Sequence, residues 1–284
     1  MTDVDVDRPR RFEGRRAIVT GSSRGIGAGI AQRLAAEGAA VALVARTAEP
    51  GGKLAGSLRD TAERIAEGGG TVVTVVADLT DPDDRARVVP EASAALGGPV
   101  EILVNNAAAA LYEPVATLSL KRRRLMFEVN VHAPLDLSQA AIPSMAELGA
   151  AWIVNISSGT ARPMAGPPFD QGVTGTTTAV YGASKAALDR ISNGLAAELH
   201  GSGIRVNAIS PRAAVMSEGA EALVGGRIAD DKIESLEHMV EAVVALCCCG
   251  PEMTGRTTTS HDVLDETGLP VRSLDGSPLV GAEP

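Results

Sequence analysis

The sequence predicts an α/β fold: one domain in which a parallel sheet is covered by helices on both faces. Three observations predict it. Short apolar runs without polar alternation recur along the chain, as strands buried on both faces require. Stretches with helical apolar spacing separate them, so strand and helix alternate as in βαβ units. Finally, a glycine-rich turn joins the first apolar run to the first helical one.

The strands are read at "RAIVT" (16–20), "AVALVA" (40–45), "TVVTVVA" (71–77), "EILVNNA" (101–107), "AWIVNIS" (151–157) and "IRVNAIS" (204–210), with "RTTTS" (256–260) a weaker seventh. Between the first two, Ile26, Ile30 and Leu34 recur every fourth residue, the mark of an amphipathic helix. "KLAGSLRDTAERIAEGG" repeats the pattern with Leu54, Leu58, Ala62 and Ile65, and its closing glycines supply a stop. Longer helices are expected at 119–147, 179–200 and 234–248. "GTARPMAGPPFDQGVTGTTT" (159–178) is rich in Gly, Pro and Thr and reads as a loop. No long linker and no fixed-period repeat divides the chain. The expected organisation is a tail at 1–13, one catalytic domain at 14–260 and an irregular extension at 261–284.

Composition narrows the function. The 284 residues are 45% apolar but only 2% aromatic, so the core is built from aliphatic side chains. A net charge of −9 argues against nucleic acid as a partner, because phosphate contacts need clustered Lys and Arg. The one basic run, Lys121 to Arg124, reads as a solvated helix face. The only cysteines, Cys247, Cys248 and Cys249, are adjacent; they cannot converge on one metal and suggest a reducing compartment. No metal site is expected. Neither a signal peptide nor a membrane span is legible, so a cytoplasmic protein without membrane contact is expected.

"TGSSRGIG" (20–27) ends the first strand and opens the first helix. Gly21, Gly25 and Gly27 permit a sharp turn and close approach of a pyrophosphate to free N–H groups at the helix start. At the end of the second strand an acid would accept the 2′-hydroxyl of NAD. "VALVART" has none there and offers Arg46, whose guanidinium suits a 2′-phosphate, with Arg24 as a second contact. NADP(H) is therefore favoured, and NAD(H) remains possible; two merely exposed arginines are the alternative.

One stretch, "AVYGASKAALDR" (179–190), places one of only two tyrosines, Tyr181, one helical turn before Lys185. Such a pair is either a casual surface contact or an acid–base device. Together with "TGSSRGIG", "ADL" (77–79), "NNAA" (105–108), "VNV" (129–131), "VNISS" (154–158) and "RVNAISP" (205–211), "YGASK" resembles the classical short-chain dehydrogenase/reductase family in order and spacing. The resemblance covers about 14–212, with an echo in "MTGRT" (253–257). It implies a three-layer, doubly wound Rossmann fold on a mostly seven-stranded parallel sheet. It also implies hydride transfer between NAD(P) and a ketone or secondary alcohol.

By this resemblance Tyr181 is the general acid/base, its pKa lowered by Lys185 and an oxidised nicotinamide. Lys185 also holds the nicotinamide ribose, Ser158 holds the substrate oxygen, and Asn130 anchors a relaying water. Gly21, Ser23, Arg24, Gly25, Ile26, Gly27, Arg46, Asp78, Leu79, Asn106, Ala107, Tyr181, Lys185 and Pro211 form the cofactor site, with Asp78 at the adenine edge and Asn105 lining the cleft.

Three departures stand out. Ala108 replaces a common glycine, Arg212 follows Pro211 where the family has glycine, and 23 residues separate Ser158 from Tyr181 where about a dozen are usual. The surplus is the 159–178 loop, which adds a wall to the substrate pocket without moving either residue. Residues 213–232 occupy the position of a substrate lid. Arg212 reads either as a contact to an anionic substrate group or cofactor phosphate, or as a surface side chain. A homodimer through helices 119–147 and 179–200, or a homotetramer, is expected. The alternative function is a catalytically silent NADP-binding sensor or scaffold; a nucleotide-sugar epimerase or dehydratase ranks last.

Overall fold

The computed structural model of the chain describes residues 9–279 except 53, 170–176, 213, 219 and 222–232. Seven strands form one sheet: β1 (Arg16–Thr20), β2 (Ala40–Ala45), β3 (Thr71–Val76), β4 (Ile102–Asn105), β5 (Ala151–Ile156), β6 (Ile204–Ser210) and, later in the chain, β9 (Thr257–Thr259). Their order is β3-β2-β1-β4-β5-β6-β9, and every pairing is parallel. The chain winds outward from β1 in one direction and from β4 in the other. The switch between them opens a crevice at the carboxyl ends of the strands.

Alternate residues on each strand serve two separate cores. Ala17 and Val19 pack with Ile30, Leu34, Met239 and Val243, whereas Ile18 packs with Val88, Leu103, Leu137 and Ile153. The first core lies under α1 (Gly25–Ala36) and α7 (Leu236–Leu246), and the second under α3 (Pro82–Ala95) and α5 (Ala133–Leu148). Because both faces are covered, β4 and β5 are buried at every position, which explains their unbroken aliphatic runs. Capping sets the helix starts. Ser57 caps α2 (Leu58–Glu67), Asp81 caps α3, Ser119 caps α4 (Leu120–Phe127) and Ser235 caps α7, each by accepting a backbone N–H.

The long helix expected at 119–147 is interrupted. After α4 come a π-helical turn, Glu128–His132, and then α5, with Pro134 in its first turn. Proline has no N–H to donate, so the regular ladder breaks just ahead of it. α6 (Ala179–Glu198) matches the expected helix and carries Tyr181 and Lys185 on one face. Lys121 to Arg124 are exposed on α4, and Arg122 pairs with Glu113.

The described parts of the expected terminal segments, 9–13 and 261–279, pack onto the domain. Phe12 is fully buried, and residues 260–267 form α8 (Ser260–Thr267), started by a capping box between Thr259 and Asp262. Buried Arg33 on α1 bonds Glu37 at 2.7 Å and Glu241 of α7 at 2.6 Å, and donates to the carbonyls of Arg272 and Ser273. Arg11 closes the ring by pairing with the same two carboxylates. Four charges thus satisfy one another where an unpaired one would cost several kcal/mol.

Part of the lid position and of the inserted loop lies outside the described residues. The flanks of the lid, β7 (Ala214–Val215) and β8 (Ile233–Glu234), pair in parallel as a small second sheet. Among the described residues, no helix is long and apolar enough to cross a membrane.

Candidate active site

The glycine turn is locked from within. Gly21 and Gly25 adopt φ of +66° and +54°, which side-chain-bearing residues rarely adopt. A Cβ on Gly27 would stand 2.4 Å from Asn106 Nδ2 and 2.5 Å from the Gly21 carbonyl, so the turn folds back on itself only with glycine there. Asn106 Nδ2 donates to the Thr20 carbonyl, while Thr20 Oγ1 accepts from the N–H groups of Asn106 and Ala107. These bonds join the ends of β1 and β4. The first turn of α1 has neither a side-chain cap nor an acid of its own, as an anion-binding helix start requires, and Ser217 and Glu218 approach it at Gly25.

A cavity of about 1080 Å³ runs from this turn across the strand ends to Tyr181. Beside the glycine turn it is lined by Gly21, Ser23, Arg24, Gly25 and Ile26, with Arg46, Asp78 and Leu79 also in its wall. Arg46 Nη1 stands 3.7 Å from Asp78 Oδ2, both largely exposed, an arrangement worth little and easily exchanged for another anion. Asp78 is oriented by Thr80, whose N–H and hydroxyl both donate to Oδ1. Arg24 donates to the carbonyls of Ala55 and Gly56. Asn106, Ala107, Ser158, Tyr181, Lys185 and Pro211 also line the cavity. These features fit a dinucleotide: an uncapped helix start, an aligned carboxylate and two cations at one end.

The structure brings Ser158, Tyr181 and Lys185 together despite their separation in sequence. Ser158 follows β5, its Oγ 2.9 Å from Thr160 Oγ1, and it lies close enough to Tyr181 to favour the charged phenol. Lys185 Nζ donates to the Ile156 carbonyl at 2.7 Å. Gly182 makes the approach possible. A Cβ there would lie 2.3 Å from the Thr160 carbonyl, so α6 rests directly on the turn that follows Ser158. The longer loop leaves this contact intact.

The electrostatics differ from the expected lowering of Tyr181. Burial pushes the Tyr181 phenol above the ordinary tyrosine value, and Tyr112 adds to the shift; Ser158 opposes it. Burial also depresses the Lys185 ammonium, to about 8, against the opposing pull of Asp189. The cause is the same for both groups. Each is sealed under apolar atoms where its charged form loses hydration.

Two expected site residues serve differently. Asn105 does not line the cavity; it is buried and donates to Asn155, which in turn donates to Ser192 on α6. The parallel sheet turns its side chain inward, toward that helix. The Asn130 side chain is committed as well. It accepts from Ala109 N–H and donates to the Ala109 carbonyl and Ser184 Oγ, while Ser184 donates to the Tyr181 carbonyl. It therefore braces the Tyr181 helix from the π-turn. Sequence reasoning missed Thr20, Tyr112, Ser184 and Gly182. Thr20, Gly182 and Ser184 stand inside the quoted motifs, but what they touch is distant or lies on the backbone and is not displayed there; Tyr112 carried only the signal of being the second of two tyrosines.

Comparison with known proteins agrees with this geometry. The family model described as short chain dehydrogenase matches residues 15–224. The chain belongs to the short-chain dehydrogenase family. Among relatives of this short-chain dehydrogenase, hydroxysteroid dehydrogenase-like protein 2 of Danio rerio is 31% identical over 253 residues, 89% of this chain and 58% of that protein. The Homo sapiens counterpart is 31% identical over 260 residues, 91% of this chain and 59% of the relative. The chain thus spans about three fifths of the length of these curated relatives. Among solved structures, a short chain dehydrogenase from Mycobacterium thermoresistibile is 32% identical with a TM-score of 0.79, covering 94% of each chain. A 3-oxoacyl (acyl-carrier-protein) reductase from Agrobacterium tumefaciens, solved with NADP bound, is 29% identical with a TM-score of 0.71, covering 87% of this chain and 93% of that one.

Proposed function

We propose that this short-chain dehydrogenase is an NAD(P)-dependent oxidoreductase, favouring NADP, that interconverts a ketone and a secondary alcohol. The observation that carries the reading is the convergence of Ser158, Tyr181 and Lys185 at one end of a cleft that suits a dinucleotide at the other. When bound, the nicotinamide supplies or accepts hydride. The chain's own residues do the rest. Ser158 Oγ orients the substrate oxygen and stabilises charge on it. The Tyr181 hydroxyl gives its proton to that oxygen during reduction, and receives one during oxidation. Its raised pKa keeps it protonated at neutral pH, the form that reduction needs. Lys185, mostly cationic below about 8, favours recovery of that proton and holds the ribose. Asn130 contributes by bracing α6 through Ser184.

NADP preference rests on Arg46 and Arg24 at the adenosine rim and on the absence of an acid at the end of β2. The Arg46–Asp78 pair is exposed enough for a 2′-phosphate to take over the guanidinium. Several relatives are named for hydroxysteroid or 3-oxoacyl substrates, which supports a carbonyl or alcohol of appreciable size. A homodimer across α4, α5 and α6 accords with apolar Leu120 and Leu148, both exposed there.

Incubation with NADPH and a carbonyl panel, followed by NADPH absorbance, tests the reading. Tyr181→Phe should lose about 10²–10⁴ in rate while binding NADPH normally. Undiminished turnover in that variant would refute the mechanism. Firm NADPH binding with no turnover by the unaltered protein would favour a silent sensor.

A further inference from the structure

The substrate end of the cavity has an unusual charge pattern. Among the described residues that line the cavity, Asp78 is the only acid, and it lies at the adenosine end. Near Tyr181 the wall is apolar, formed by Leu111, Tyr112, Leu125, Val129 and Met164. Two guanidinium groups interrupt it: Arg162, four residues beyond Ser158, and Arg212, directly after Pro211. Neither side chain has an ion pair or hydrogen bond among the described residues, and both are exposed.

The surroundings fix these cations and set one shared carboxylate, Asp262, near both. The Arg212 backbone N–H donates to Glu234 Oε2 at 3.0 Å and to Ser260 Oγ at 3.3 Å, which anchors its Cα and leaves the side chain to the cavity. Arg162 is held by the short helical turn Gly159–Ala161, whose last carbonyl-to-N–H bond ends at Arg162 itself. The described acids that face them, Asp262 and Asp189, are shared with other groups. Asp262, whose carboxyl is held low first by the Thr259 hydroxyl and then by both arginines, caps α8; Asp189 faces Ser157 and Lys185. Two separate segments thus bring two guanidinium groups to one opening where, among the described residues, Asp262 is the acid that both face, a surplus of positive charge that an anion relieves.

We propose that Arg162 and Arg212 bind the carboxylate of an elongated apolar substrate whose carbonyl or hydroxyl reacts at Tyr181. This rests on the reading of the cavity as the substrate site and names the substrate class. The apolar wall takes the hydrocarbon, and the planar guanidinium forks suit a carboxylate's two oxygens. The segments concerned are the ones in which this chain departs from its family, the inserted loop and the residue after Pro211.

Calorimetric titration of the protein–NADP complex with octanoate and with 1-octanol tests this without requiring turnover. Octanoate should bind at least about tenfold more tightly than 1-octanol. Arg162→Gln and Arg212→Gln should each weaken octanoate about tenfold and leave 1-octanol and NADP binding unchanged. Equal binding of the two probes, or full octanoate affinity in the double variant, would overturn the proposal. If a variant fails to fold, ionic strength replaces it: added salt should weaken octanoate but not 1-octanol, and an unaffected octanoate affinity is the overturning result. Arginine-dependent octanoate binding in a protein that reduces nothing would keep this inference and discard the activity. Ketone reduction with no carboxylate preference would do the reverse.

Discussion

The rings of Tyr112 and Tyr181 meet with centroids 5.6 Å apart and planes tilted by 54°. The only two tyrosines of the chain therefore form one aromatic corner, although 69 positions separate 112 from 181. Tyr112 comes from the segment after β4 and lies against the Tyr181 ring in the cavity wall. Tilted pairs of this kind are worth about 0.5–1.5 kcal/mol beyond the area they bury. Tyr112→Leu should lower kcat/KM for a carbonyl substrate about tenfold, within the range such a contact supplies. NADPH affinity, measured by fluorescence titration, should not change.

Gly182 tests how finely Ser158 and Tyr181 are spaced. In Gly182→Ala the new methyl group would meet the Thr160 carbonyl at 2.3 Å, and one of the two segments must retreat. A displacement near 1 Å at a reacting pair costs about 10²-fold in rate. The variant should fold, bind NADPH, and lose roughly that factor in kcat. Full activity would show that the contact does not set the spacing.

Lys185 should cost stability in return for chemistry. Its value of about 8 lies below the 10.5 of a free lysine, so the unfolded chain binds more protons between those limits. Stability contributed by the group is present above the unfolded value and is lost as pH falls through about 8. At neutral pH the buried ammonium is a penalty on the order of 3 kcal/mol, offset by the Ile156 bond. Lys185→Met should abolish turnover yet raise Tm at pH 7. The gap should narrow as pH rises from about 8 toward 10; a variant that melts lower at pH 7 would contradict this.

His238 gives a second pH signature. Its ring stacks on His261 at 4.2 Å, and burial first, then the His261 charge, lower its pKa below the usual histidine value. The unfolded chain therefore binds more protons below about pH 6.5, and stability declines as pH falls through the lowered value. Thermal melts of His238→Gln between pH 5 and 7 should show a flatter dependence than the unaltered protein.

The strands were legible because burial on both faces demands continuous aliphatic runs, and the glycine turn because few residues adopt its angles. Tyr181, Lys185 and Ser158 were legible through spacing and resemblance. What stayed hidden depended on partners distant in sequence. Asn105 looks like a cleft residue until Asn155 and Ser192 appear beneath it, and nothing near Gly182 announces the Thr160 carbonyl. The π-turn at 128–132 needed Pro134 to be read together with the ladder ahead of it. The packed ends escaped notice because charged Arg11, Arg33 and Glu241 do not look like interior residues until they pair.

That four-charge ring makes the two ends of α1 interdependent. Its carboxyl-terminal half is fastened through Arg33 to the carbonyls of residues 272 and 273, while its first turn faces the expected pyrophosphate. Shortening the protein to residue 268 would strip away those acceptors and the segment that covers the Arg33 side chain. The loss should be felt eight residues back along the rod, from Arg33 to Gly25, as weakened dinucleotide affinity, well before any reacting group is touched.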